Sequence, residues 1–312
     1  MGTPDFAVPS LEILIKNNYK VVGVVTQPDK PVGRSSKLIY PPVKEIALKN
    51  NILVYQPEKV KNNEFIDLLK DIEPDLIVVV AFGQILPKSI LDIPKLGCIN
   101  VHGSILPKYR GAAPIQWSII NGEKITGVTT MYMDVGMDTG DMILKNEIPI
   151  CDDDTAEVLF DKVSDIGAEV LVEKIKLIEK GNVLRIPQDN SLATYAPMLK
   201  KESGIIDWTR SSNEIANFIK GTYPWPGAYS YYNGNRMKVF KIEYENKNFD
   251  AKVGQIVEVT KDSIIVQSGD GLVLIKELQF DGSKRMTVKD YLIGHTIQKG
   301  IILNGEANEI TN

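Results

Sequence analysis

GCINVHGSILPKYRG, from Gly97 to Gly111, contains His102, one of only two histidines in the chain. The run Cys98-Ile99-Asn100-Val101 reads as a short strand between glycines. Side chains two apart on a strand share a face, so Asn100 and His102 point one way while Ile99 and Val101 face the other. A strand ending in polar groups and followed by a loop of Gly, Ser and Pro matches the way open α/β sheets carry their chemistry at strand carboxyl ends. The pair is chemically apt. An imidazole exchanges protons near neutral pH, and a carboxamide donates hydrogen bonds to a developing oxyanion without changing charge. Taken alone, an Asn-x-His is more often a satisfied loop histidine beside a capping Asn; the surrounding sequence decides.

Upstream, Val21 to Val25 and Leu76 to Val80 are nearly all-apolar runs, the pattern of strands buried on both faces. Helical stretches fall between and around them, near Pro9 to Lys16, Val43 to Asn50 and Glu64 to Lys70. Downstream come a helix over Pro114 to Asn121 and a strand over Val128 to Met133. Alternating strands and helices predict an α/β fold built on a doubly wound parallel sheet. The last strand runs into Asp134-Val-Gly-Met-Asp138-Thr-Gly-Asp141. This loop lacks the spacing of a calcium-binding EF-hand loop, so it reads either as a tight turn or as a carboxylate source beside His102. A carboxylate there would stabilise a protonated imidazole and fix its tautomer.

Beyond this region a helix over Thr155 to Lys180 stops at Gly181, and residues 183–203, with Pro187 and Pro197, read as a linker. From Gly204 short strands separated by Asn233-Gly234, Asp270-Gly271 and Asp281-Gly282 suggest a small antiparallel barrel. The expected layout is a first domain over 1–182, a linker, and a barrel over 204–312.

Composition narrows the class. A chain of 312 residues, 43% hydrophobic and 24% charged, suits two globular domains. The net charge of −4 argues against a generic nucleic-acid binder. Cys98 and Cys151 make neither a disulfide framework nor a metal cluster, and no metal is expected. Without a membrane-length apolar run or a secretory signal, the chain reads as cytoplasmic. His295, in a Gly-His-Thr context, reads as structural.

Asn100 to Gln116 together with Asp134 to Asp141 resembles the methionyl-tRNA formyltransferase family. So do Gly2-Thr3-Pro4-Asp5-Phe6, Thr26 to Asp29, Phe82-Gly83-Gln84-Ile85-Leu86-Pro87, Ile206-Asp207-Trp208 and Pro224-Trp225-Pro226. The resemblance spans nearly the whole chain. It implies transfer of the formyl group of 10-formyltetrahydrofolate to the α-amino group of methionyl initiator tRNA, with an OB-like barrel that helps hold the tRNA; a monomer is expected. It puts the catalytic trio on Asn100, His102 and Asp138. It puts folate contacts on Phe82, Gly83, Gln84, Ile85 and Leu86 and on Ser104, Ile105, Leu106 and Pro107. The basic loop Asp29 to Lys37 would reach the tRNA acceptor stem, with Arg34 and Lys37 as contacts. A basic stripe on the barrel, Lys238, Lys241, Lys276, Lys284, Arg285 and Lys289, is as readily a solvated surface.

Rivals remain open at this point. Formyltransferases acting on sugar nucleotides or on glycinamide ribonucleotide share the Asn-x-His core. A nicotinamide-dependent oxidoreductase would need a Gly-x-Gly-x-x-Gly turn after a strand, and the chain has none. A non-catalytic RNA-binding protein leaves Asn100, His102 and Asp138 without a purpose. One further expectation is that an apolar first strand should precede Gly2-Thr3-Pro4. Its four or five buried side chains would contribute about 6–15 kcal/mol, and without them a slot should open in the sheet.

Overall fold

The structure, a computed structural model, describes residues 1–32 and 37–304. Packing divides the chain into two compact units. One comprises residues 1–114, 125–149 and 159–197; the other comprises 115–124, 150–158 and the chain from 198 onward.

In chain order the elements up to residue 197 are α1 (Val8–Lys16), β1 (Val24–Val25), β2 (Lys30–Val32), β3 (Lys37–Ile39), α2 (Pro42–Lys49), β4 (Val54–Tyr55), α3 (Asn63–Ile72), β5 (Ile77–Val79), α4 (Lys88–Leu91), β6 (Cys98–His102), β7 (Arg110–Gly111), α5 (Pro114–Ile120), β8 (Ile125–Tyr132), β9 (Met142–Pro149), α6 (Ala156–Glu179) and β10 (Tyr195–Ala196). In α3, Phe65, Ile66 and Leu69 form the buried stripe. They pack with Ile77 and Val79 of β5 and with Cys98, the first residue of β6.

The first unit is α/β, as expected, and parallel where the buried apolar runs pair: β1 with β4, and β5 with β6. Two further strands join antiparallel, giving the order β5-β6-β8-β9. That reversal governs the site. The far end of β8 lies at the beginning of β6, where Met133 N–H donates to Cys98 O (2.8 Å). The β8–β9 connection must therefore double back along β6 to bring a carboxylate to His102.

Between β1 and β5 the sheet is interrupted. The Met1 amine donates to Val78 O (2.6 Å), Gly2 N–H to Val25 O (3.0 Å), and Gly2 bridges Val80 in parallel. A cavity of about 460 Å³, lined by residues such as Leu11, Leu14, Val24, Val78 and Ile175, separates the two strands at this point.

The segment 183–203 is not a free connector. Residues up to Pro197 belong to the first unit. Met142 and Ile186 bond each other's backbones, and β10 pairs in parallel with β7. Its prolines and lack of periodicity hid a chain held by scattered backbone bonds rather than by an apolar face. The loop expected over 29–37 contributes a hairpin, β2 against β3.

The second unit contains α7 (Ser212–Thr222), β11 (Tyr229–Tyr232), β12 (Asn235–Glu245), β13 (Ile256–Val259), β14 (Ile264–Gln267), β15 (Leu272–Phe280), β16 (Met286–Thr287) and α8 (Val288–Gly294). Its sheet is antiparallel, in the order β11-β12-β15-β14-β13, with β16 beside β15. Asn233-Gly234, both at positive φ, turns β11 into β12. Ser211 and Glu214 form a reciprocal cap on α7. Residues 300–304 bond to Ile256 and Gly254 beside β13 and to Tyr231 of β11. They join the two edges of the sheet into a barrel, consistent with the expected OB-like architecture.

Candidate active site

Strand β6 presents Asn100 and His102 on one face, opposite Met131 and Thr129 of β8. His102 is buried, and its Nε2 lies 2.9 Å from Tyr109 O. A carbonyl only accepts, so Nε2 carries the proton and Nδ1 is left to exchange one. Nδ1 faces Asp138 Oδ2 at 3.7 Å, and the Asp138 carboxyl is largely buried.

The β8–β9 loop sorts its three aspartates by hydrogen bonding. Asp134 accepts from Gly136 N–H (3.0 Å) and Thr139 Oγ1 (2.6 Å), so it builds the turn. Asp141 pairs with Arg185 (3.0 Å), whose guanidinium also lies over the Tyr132 ring. Asp138 is the one aimed at the imidazole. Its Oδ2 accepts from Gly111 N–H (2.8 Å), and its backbone is left-handed, with φ +54°. The structure thus brings together His102 and Asp138, with Asn100 on the same strand face.

The segments expected to contact folate divide by burial. Phe82 and Leu86 are core residues, packed with Val25, Val60 and Phe65. Leu106 and Ser104 are fully buried, Ser104 Oγ donating to Lys108 O (2.7 Å). Leu106 N–H donates to Thr129 Oγ1, which donates to Ser104 O, fixing the Ser104-Ile105-Leu106-Pro107 loop from β8. Gln84 is turned inward, its Oε1 accepting from Val60 N–H (3.0 Å). Phe82 O accepts from Thr3 Oγ1 and Gln27 Nε2. Open to solvent are Gly83, at φ +83°, and Ile85, 71% exposed. Ile105 and Pro107 are half-buried. Phe82, Leu86, Ser104 and Leu106 are buried, so what they do in the unliganded protein is shape the two loops.

Arg34 lies outside the described residues, and Lys37 begins β3. The start of that loop is anchored. Lys44 bonds both Asp29 oxygens (2.8 and 2.6 Å) and Gln56 Oε1 (2.7 Å), while Gln56 Nε2 reaches Asp29 Oδ1 and Gln27 O. The bonds from Lys44 and Gln56 hold the Asp29 carboxyl below the usual carboxylate range. On the barrel, Lys276 pairs with Glu243 and Asp262, and Arg285 with Glu277.

Sequence reasoning missed Arg110 and Gln188. Arg110, 2% exposed, donates to Gln188 Oε1 from Nε and Nη2 (3.1 and 2.8 Å) and to Asn190 Oδ1 (2.8 Å). Gln188 donates onward to Asp138 O (2.8 Å) and Gly140 O (2.9 Å). A charged residue within the Lys108-Tyr109-Arg110-Gly111 run was the available signal. Burial of the Cys98 thiol pushes its pKa up to about 12, so it offers no nucleophile.

Comparison with known proteins identifies the family. Residues 1–175 match the formyl transferase family and residues 198–296 the formyl transferase C-terminal domain. The chain is 56% identical over 306 residues to the methionyl-tRNA formyltransferase of Acetivibrio thermocellus, covering 97% of this chain and 98% of that one. It is also 56% identical over 303 residues to the enzyme of the same name from Clostridioides difficile, with the same shares covered. Among solved structures, the sugar 3N-formyl transferase WlaRD, in the presence of dTDP and 5-N-formyl-THF, matches with TM-score 0.66 at 24% identity. That match covers 91% of this chain and 97% of WlaRD. HypX from Aquifex aeolicus, in complex with tetrahydrofolic acid, matches with TM-score 0.58 at 17% identity, covering 88% of this chain and 47% of HypX. These structural likenesses bear on fold alone.

Proposed function

This chain belongs to the methionyl-tRNA formyltransferase family, and from that premise we propose that it moves the formyl group of 10-formyltetrahydrofolate onto the α-amino group of methionyl initiator tRNA. The observation that carries the reading is the His102–Asp138 pair, set on a strand face shared with Asn100.

Attack of the amine on the formyl carbon places negative charge on the formyl oxygen. Asn100 and a His102 protonated at Nδ1 are the donors for it, a contribution of roughly 3–4 kcal/mol per donor in comparable sites. The attacking nitrogen becomes an ammonium and gives up a proton, and the folate nitrogen takes one as it leaves. His102 Nδ1, with Nε2 committed to Tyr109 O, is the position through which that proton passes, and Asp138 supports the charged ring. No covalent enzyme intermediate is required.

The folate co-substrate suits the exposed part of the two loops. A Cβ on Gly83 would meet only Gln27 Nε2, at 3.7 Å, and Ile85 offers an uncovered apolar side chain. Gly83, Ile85, Ile105 and Pro107 therefore make direct contact, while Phe82, Gln84, Leu86, Ser104 and Leu106 hold the loops in shape. Arg34 and Lys37 contact the tRNA from the anchored loop. The enzyme works as a monomer in the cytoplasm; no helix among the described residues is long and apolar enough to cross a membrane.

The test is a direct assay of charged initiator tRNA with 10-formyltetrahydrofolate, scoring formylmethionine by mass, beside a dTDP-linked amino sugar. Formylation of the sugar and not of the tRNA overturns the acceptor assignment.

A further inference from the structure

The reading above needs Asp138 to face His102, yet the loop carrying Asp138 does not hold that pose by itself. It leaves the sheet at the wrong end of β6 and doubles back. Its backbone is left-handed at Asp138, a conformation uncommon outside glycine, which aspartate tolerates better than most residues and which outside contacts can secure. Two groups from outside the loop do so. Gly111 N–H holds the carboxylate, and the Gln188 carboxamide holds the backbone on both sides of Thr139.

Gln188 suits this task because a carboxamide has two N–H donors and two acceptor lone pairs on one rigid plane. The donors go to Asp138 O and Gly140 O. The oxygen takes two bonds from Arg110, which is buried in β7 directly before Gly111. Backbone and carboxylate of Asp138 are thereby referred to the same two residues, Arg110 and Gly111. β10, in the segment that also carries Gln188, pairs with both. We propose that Gln188, locked by Arg110, is the positioning residue of this active site, setting the Asp138 carboxylate toward His102 Nδ1 from a segment that touches no reacting atom.

The inference rests on the formyl-transfer reading, so wild-type formylation of methionyl-tRNA is measured first; its absence overturns that reading and this role of Gln188 with it, whereas the variants below test the role alone. Given activity, Gln188→Glu is the discriminating change. It keeps the length and two acceptors for Arg110 but turns an oxygen toward the carbonyls of Asp138 and Gly140. The expected result is kcat lowered about tenfold or more, with KM for methionyl-tRNA within about twofold.

The decisive readout is a double-mutant cycle with Asp138→Ala. If Gln188 acts through the carboxylate, the double variant is no slower than Asp138→Ala alone, within about twofold. A general structural role gives multiplied losses instead, and so overturns the proposal, as does wild-type kcat in Gln188→Glu. Gln188→Met, uncharged and of similar length, runs through the same cycle and decides the matter if the Glu variant unfolds.

Discussion

His102 Nδ1 and Asp138 Oδ2 lie 3.7 Å apart, while the other imidazole nitrogen is held 2.9 Å from Tyr109 O. The two ring nitrogens thus have different surroundings: Nε2 is tied to a backbone carbonyl, and Nδ1 faces the carboxylate, where the proposed mechanism places the proton transfer.

The trio is expected to be catalytic rather than structural. Asn100→Ala, His102→Ala and Asp138→Asn should each lower single-turnover formylation by at least about a hundredfold. The Asp138→Asn change is informative because the amide oxygen can still accept from Gly111 N–H while the charge is gone. Unfolding temperatures should stay within a few degrees of wild type, since none of the three belongs to the apolar core. Wild-type rates in the His102 variant would remove the proton-transfer role.

Gly111 has a sharper structural requirement. At φ +122° its added Cβ would sit 2.7 Å from Ala196 O, so Gly111→Ala must push β10 away from β7. Strain of this kind amounts to roughly 1–3 kcal/mol, and the displaced N–H also loosens Asp138. Thermal unfolding and kcat should therefore fall together. Full activity in a variant that is clearly destabilised would show that Asp138 does not depend on this bond.

How much of this was readable beforehand depends on the kind of signal. Asn100 and His102 were legible because strand alternation alone puts them on one face. The buried strands showed as apolar runs. Their direction did not, since a period of two is the same read either way, and so the antiparallel β8 and the doubling back of its loop were invisible. Asp138 could not be told from Asp134 and Asp141 by spacing; their hydrogen bonds separate them. Gln188 sat in a stretch that looked like a linker because it is fastened by polar bonds, which leave no hydrophobic period. α8 was missed, being two turns long with Val288 as its buried residue. The packing of 115–124 and 150–158 with the barrel unit likewise left no local mark.

The two thiols should behave differently. Cys151 is exposed and Cys98 is buried. Alkylation of the native protein at pH 8 should label Cys151 alone, with Cys98 reacting after denaturation. Burial also raises the Cys98 thiol from its ordinary 9.0 to about 12. Between those values the unfolded chain has lost a proton that the folded chain keeps, so stability falls as pH rises through this window. The slope attributable to Cys98 is at most one proton, about 1.4 kcal/mol per pH unit. Comparing denaturant unfolding of wild type and Cys98→Ala from pH 8 to 11 should show the steeper decline in wild type. Equal slopes would mean that the thiol is not shielded in the folded protein.

The loop carrying Arg34 gives the last expectation, one that separates the two substrates. Lys44 ties Asp29 and Gln56 together at the start of the loop and lies over the Tyr40 ring, 4.1 Å from its centre, at the far end. The role proposed for Arg34 and Lys37 is to contact a phosphate backbone. If they do, Arg34→Ala should weaken tRNA use by about 1–3 kcal/mol and reduce the dependence of log KM on log salt by about one unit. Lys37→Ala should act in the same direction. Lys44→Met should also raise KM for tRNA, but with the salt slope nearly unchanged, because it loosens the loop without removing a contact. Folate affinity, measured by titration, should stay the same in all three, since the expected folate contacts lie on other loops. Equal losses of folate and tRNA binding in Arg34→Ala would make that residue a structural part of the first unit.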